Sequence, residues 1–279
     1  MNRPTALRSP VGTLMLASSL WCIAIAAKAD PWIPAAGSGV VKPMVRWFNS
    51  QSAYPASGFT TTTLPASTER QTELRVTGVA GIGHGFSIEY DLRAGQLSTS
   101  RLKHHRLLKK SSTGPEDQII GLNYGLTQTA IFADSLTVNL VIPTGASNSA
   151  PALGVGHFAI EPDAQFGFAH GPFTLTLQGG ARLFTDSGVT QLRATAYTGL
   201  QLSPSVVLLA TGFVSRTVQQ PNTVLLIDRG ELYNLARLGV GVEYRLTRLW
   251  RPFIEYQTTV AGQSIHGGSR VVLGVSIRY

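Results

Sequence analysis

The residues best able to do chemistry in this chain are six histidines, one cysteine and a long series of alternating charges, and their spacing decides which chemistry is open to them. Nucleophilic catalysis needs a Ser or Cys with a base within hydrogen-bond reach. His84, His104, His105, His157, His170 and His266 all fall between the patterned segments, in loops or turns. His157 and His266 approach a rim where a Ser could stand, but no flanking motif of a hydrolase accompanies them. No enzyme activity and no cofactor is therefore expected. A metal site would need ligands spaced to share one face. The only close pair, His104-His105, is adjacent, which turns the two rings apart in an extended chain. Gly81-Ile82-Gly83-His84-Gly85 is glycine-rich but leads into an alternating segment rather than a helix, so it reads as a turn and not as a phosphate loop.

The positive charge points to no nucleic acid once it is located. Of 23 Lys and Arg, three (Arg3, Arg8 and Lys28) belong to an N-terminal stretch whose apolar run from Val11 to Ala27 ends in Ala27-Lys28-Ala29. That is the pattern of a secretory signal peptide cleaved after Ala29, giving a leader at 1–29 and a mature chain at 30–279. Cys22 lies inside the leader, so the mature chain carries no thiol. Five more cations, Arg101, Lys103, Arg106, Lys109 and Lys110, sit in one stretch, and the remainder balances the 15 acidic residues. This stretch reads either as a solvated external loop or as a contact for lipopolysaccharide phosphates.

The elements that hold these residues have a period of two. In Phe86 to Ala94, Phe86, Ile88, Tyr90, Leu92 and Ala94 alternate with Ser87, Glu89, Asp91 and Arg93, so the two faces of one strand meet very different solvents. Twelve such strands are expected, beginning at Val40, Thr72, Phe86, Asp117, Leu136, Ala159, Phe173, Gln191, Val206, Ala236, Pro252 and Arg270. The links between them alternate. Ile82–Gly85, Thr127–Ala133, His170–Pro172, Ser203–Ser205 and Thr247–Arg251 are short, whereas 49–71, 98–116, 143–157 and 216–230 are long, with 185–190 and 262–268 between the two classes. Charged residues make up 14% of the chain, mean hydropathy is only +0.11, and no apolar run reaches the length of a spanning helix. Short turns on one rim, long loops on the other and strands of about ten residues fit an all-β, up-and-down antiparallel transmembrane barrel of the porin-like, outer-membrane kind. Gly121, Gly125, Gly179, Gly180, Gly199, Gly239, Gly241 and Gly274 fall inside strands, where curvature or close lumen packing calls for them. Trp32, Trp47 and Trp250 read as interface-belt aromatics.

The last strand, with Val271, Leu273, Val275, Ile277 and the terminal Tyr279 on one face, resembles the C-terminal signal of Gram-negative outer-membrane proteins. The resemblance implies that the barrel-assembly machinery reads Leu273, Val275, Ile277 and Tyr279. Glu116-Asp117 leading into Gly121-Leu122-Asn123-Tyr124, and the strand end Val141-Ile142-Pro143-Thr144-Gly145, resemble the outer-membrane family named for the meta-cleavage pathway of phenol degradation, over residues 115–279. That resemblance implies a channel for small hydrophobic or aromatic solutes.

If the apolar faces meet lipid, the polar faces line a lumen. Alternation places Lys42, Arg46, Arg75, Arg93, Arg182, Arg193, Arg237, Arg245, Arg270 and Arg278 inside, with Glu73, Glu89, Asp91, Asp117, Glu161, Asp163, Glu243 and Glu255. Two functions are open to such a set: an ion-pair network that stiffens the barrel, and a permeation path. The leading expectation is passive passage of a small hydrophobic solute through the bacterial outer membrane. The alternatives are a structural or adhesive barrel with a plugged lumen and a lipid-modifying enzyme. Arg182 and Arg193, on adjacent strands, repel unless Glu161 or Asp163 offsets them, and uncompensated they would favour anions.

Overall fold

The computed structural model describes residues 31–55, 62–63, 68–103, 106–219 and 232–279. The leader, Cys22, His104 and His105 lie outside the described residues. The strands are β1 (Gly39–Tyr54), β2 (Thr62–Thr63), β3 (Thr68–Gly83), β4 (Phe86–Lys103), β5 (Arg106–Pro115), β6 (Gln118–Gln128) and β7 (Phe132–Ile142), followed by β8 (Ala159–His170), β9 (Phe173–Phe184), β10 (Thr190–Gln201), β11 (Val206–Gln219), β12 (Asn234–Tyr244), β13 (Trp250–Gln263) and β14 (Ile265–Arg278). β2 is a two-residue pairing on β1. β5 and β6 are one barrel strand interrupted at Glu116-Asp117, since both pair with β4. Twelve strands in sequence order therefore form the wall, all antiparallel, and β14 pairs with β1 to close it. Closure leaves no unpaired edge, the condition for a sheet to survive in hydrocarbon.

The usual inside–outside pattern is inverted. Glu73, Arg75, Glu161 and Thr137 are buried, while Leu74, Leu136, Val138 and Ile254 are each at least half exposed. A protein in water would not leave a continuous girdle of Leu, Ile and Val on its surface, whereas a bilayer makes that girdle the solvated face. The aromatics mark its edges: Trp250, Tyr244 and Phe132 on the short-turn rim, and Trp47 towards the other. Trp32 is not among them. It lies against the inward face of β8, where a Cβ on Gly167 would meet its ring.

Two connections differ from expectation. Residues 98–116 are not an irregular loop: β4 and β5 continue as a paired ribbon up to Lys103 opposite Arg106. Eighteen residues of β4, at about 3.3 Å each and a tilt near 40°, cover about 45 Å of height against an apolar band of about 25 Å. The ribbon therefore stands well clear of the membrane. Its Ser and Thr residues meet water on both faces, so it carries no hydrophobic alternation. Residues 262–268 likewise form a tight reversal, with Ser264 alone between β13 and β14 at a φ of +59°.

Candidate functional site

The inward faces of the strands carry a network in which carboxylates bridge neighbouring strands. Arg46 on β1 donates to Glu73 on β3 at 2.6 Å. Asp91 on β4 accepts from Arg75 on β3, whose Nε lies 2.5 Å from Oδ1, and from Arg93. Further round the wall, Glu161 on β8 holds both arginines of the suspected repelling pair. Arg182 Nε and Arg193 Nη1 each donate to it at 2.7 Å. The offset is possible because register sets Asp163 opposite Gly180. A Cβ at Gly180 would fall 1.9 Å from the Asp163 carboxylate, so only glycine lets acidic side chains of β8 lie across β9.

Neutral polar groups complete this half. Asp163 accepts from Asn139 and Gln178, both at 2.8 Å, and Glu89 from Asn123 at 3.0 Å and Gln165 at 3.2 Å. Sequence reasoning missed these amides, although the same alternation marks them. It also missed Glu116, which stands just before the alternating run of β6, is buried and accepts from Gln71 at 2.8 Å. Asp117, expected in the lumen, lines a cavity on the long-loop side, where it accepts from the Gly145 and Val155 backbone N–H groups and pins the 143–158 connection.

The opposite wall is differently charged. Glu255 on β13 accepts from Thr211 and from Gln257 at 2.9 Å, and Glu243 from Arg251 at 3.5 Å. Arg237 on β12 and Arg270 on β14 have no ion pair among the described residues. Their Nε atoms are buried without a partner, and so is that of Arg245 near the short-turn rim. Arg270 lies over the Phe48 ring at 5.7 Å.

Between these walls is a chamber of about 430 Å³. Its lining includes Arg46, Arg75, Glu89, Asp91, Arg93, Glu161, Asp163, Arg193, Arg237, Glu255 and Arg270, with Met44, Phe213, Leu235, Phe253 and Val272 as apolar patches. Arg182, Glu243 and Arg245 are not part of that lining. A second cavity of about 340 Å³ adjoins it on the long-loop side, sharing Arg93, Glu116, Ile119 and Tyr233 and adding Val141, Leu153, Val155 and Arg182. Leu153 is buried because the 143–158 connection folds inward.

The short-turn mouth is occupied by the chain itself. Gln128 accepts from the Ile33 N–H at 3.0 Å and donates to the Pro31 carbonyl at 2.7 Å, while Trp32 Nε1 donates to the Thr129 carbonyl at 2.9 Å. A Cβ on Gly125 would touch Ile33, and one on Gly81 would touch the Pro34 and Ala35 backbone, so the segment seats on three inward glycines.

On the ribbon, Lys109 and Lys110 are exposed, and register sets Lys109 opposite Ser100 and Lys110 opposite Thr99, on opposite faces. Arg101, Lys103 and Arg106 occupy ribbon positions in the same pairing. Along β14, Leu273 and Tyr279 are exposed on the outer face, and Val275 and Ile277 are half-buried.

A family model described as "Putative MetA-pathway of phenol degradation" matches residues 49–273, beginning well before residue 115. No curated protein matches the chain significantly. Among solved structures, an outer membrane channel from Pseudomonas putida F1 is similar, with a TM-score of 0.69, 15% identity, and coverage of 91% of this chain and 100% of that one. The NanC porin follows at a TM-score of 0.52, 10% identity, and 85% and 100% coverage. The translocator domain of the autotransporter NalP from Neisseria meningitidis gives 0.51, 16% identity, and 88% and 90% coverage. The chain therefore belongs to the MetA-pathway phenol-degradation family and is a twelve-stranded β-barrel of the bacterial outer membrane.

Proposed function

We propose that this barrel is a passive channel for small hydrophobic or aromatic solutes and performs no chemistry on them. The observation that carries the reading is the pair of adjoining cavities, each with apolar wall as well as charge. A network meant only to stiffen the barrel would fill that space with side chains. The similar solved structures include an outer membrane channel and a porin, alongside an autotransporter translocator domain. The same reading gives the protein two macromolecular partners: the barrel-assembly machinery at Leu273, Val275, Ile277 and Tyr279, and lipopolysaccharide phosphates at the ribbon that carries Arg101, Lys103, Arg106, Lys109 and Lys110.

A second reading, a structural barrel with a plugged lumen, is favoured by the 31–36 segment in the short-turn mouth. Planar-bilayer recordings separate the two. A channel gives a small conductance that rises when residues 31–36 are deleted and falls when benzyl alcohol occupies the chamber. Zero current from both proteins would leave the plugged barrel as the function.

A further inference from the structure

Arg193 and Arg237 both line the chamber beside Phe213, and Arg93, Glu116 and Tyr233 stand where the two cavities meet. Arg182 and Arg193 share Glu161, and Arg237 has no ion-pair partner among the described residues. Tyr233 lines both cavities. Arg193 Nε and Arg237 Nε are buried donors with no acceptor. A buried N–H that lacks an acceptor carries an uncompensated desolvation cost, which an anion seated in the chamber would offset. Arg237 stands beside Phe213 by register, and Arg193 lies over the same ring at 5.1 Å.

We propose that Arg193, Arg237 and Tyr233 form a binding site for the carboxylate of a small aromatic or branched organic acid, whose apolar body rests on Phe213 and Leu235. The fork of Arg237 matches a carboxylate in geometry, and Tyr233 offers a neutral donor to its second oxygen. Glu161 accepts from Arg182 and from Nη1 of Arg193, which offsets the repulsion between the two cations and leaves the Nε of Arg193 without an acceptor. An inorganic anion would satisfy the charge but leave the apolar wall bare. The inference rests on the reading of the lumen as a solute path and adds to it the ionic class of the solute.

Calorimetric titration of the detergent-solubilised barrel tests it, with sodium benzoate, sodium acetate and benzyl alcohol as probes. Benzoate should bind saturably, more tightly than acetate, and weaken at least about tenfold in Arg237→Gln, the consequence of losing a charged hydrogen bond. Arg237→Lys, which keeps charge without the fork, should fall between, and it serves as the reading if Arg237→Gln loses the heat-modifiable mobility of a folded barrel. Benzyl alcohol should bind the wild type and Arg237→Gln alike. Benzoate affinity unchanged by either substitution, or equal to that of acetate, overturns the site. The channel reading fails separately, through absent conductance, and survives if benzyl alcohol still enters while benzoate gains nothing.

Discussion

Glu161 is an exacting point at which to test the lumen network, because Arg182 and Arg193 both donate to it at 2.7 Å. Glu161→Gln keeps the shape and one acceptor but leaves Arg182 and Arg193 as neighbouring uncompensated cations. Removing one member of a buried ion pair costs about 3–5 kcal/mol. The chamber beside Glu161 is large enough for water, which places the loss near the lower end, about 3 kcal/mol or a hundredfold in the folding equilibrium. Arg182→Gln is gentler, since Glu161 keeps Arg193, and should cost about 1 kcal/mol. In the double variant Glu161→Gln/Arg182→Gln one like charge is gone, so stability should recover part of what Glu161→Gln lost. Urea unfolding in short-chain phosphatidylcholine vesicles, followed by tryptophan fluorescence, measures all three. If Arg182→Gln is as damaging as Glu161→Gln, or the double variant is worse than the sum of the singles, then Glu161 is not the compensating charge.

The assignment of faces is tested on β9 by adjacent residues. Leu177→Arg puts a cation on the lipid face and should cost about 2–4 kcal/mol, whereas Gln178→Arg stands beside the Asp163 carboxylate and should leave folding unchanged or improved; equal losses would reverse the faces. Deleting Tyr279, whose backbone exchanges hydrogen bonds with Gly39 at the β1–β14 closure, should lower the amount of heat-resistant barrel in the outer membrane, and wild-type levels would remove it from assembly.

How much of this was legible beforehand follows from where a strand meets two different solvents. All twelve wall strands carry a period of two that survives the glycines, because one face takes lipid and the other usually takes Glu, Arg or amides, and it is fainter where, as in β11, the inward residues are Val207, Leu209, Thr211 and Phe213. The ribbon beyond the membrane was not legible. Ser98, Thr99, Ser100, Ser111 and Ser112 pair as strand while both faces are wet, so alternation vanishes although the hydrogen-bond ladder continues. Glu116 escaped for a related reason, standing at the break where β5 hands over to β6.

The place of Trp32 was illegible for a different reason: its destination depends on Gly125 and Gly167, and nothing local to residues 31–36 encodes those inward hollows. The charges fall between these cases. Sequence shows that Arg182 and Arg193 are close, and the remedy, Glu161, is in the same list of inward residues. Which carboxylate reaches which cation is decided by register, through Ile160 opposite Leu183 and Asp163 opposite Gly180. The same register explains why Arg237 is left over. Its wall neighbours are Phe213 on β11 and Thr259 on β13, neither of them an anion, while Glu255 leans across Gly239 to Thr211. Among the described residues, the inward carboxylates other than Glu243 and Glu255 stand on the wall from β3 to β8, so the excess positive charge of the lumen collects on β12 and β14, facing the space a solute would fill.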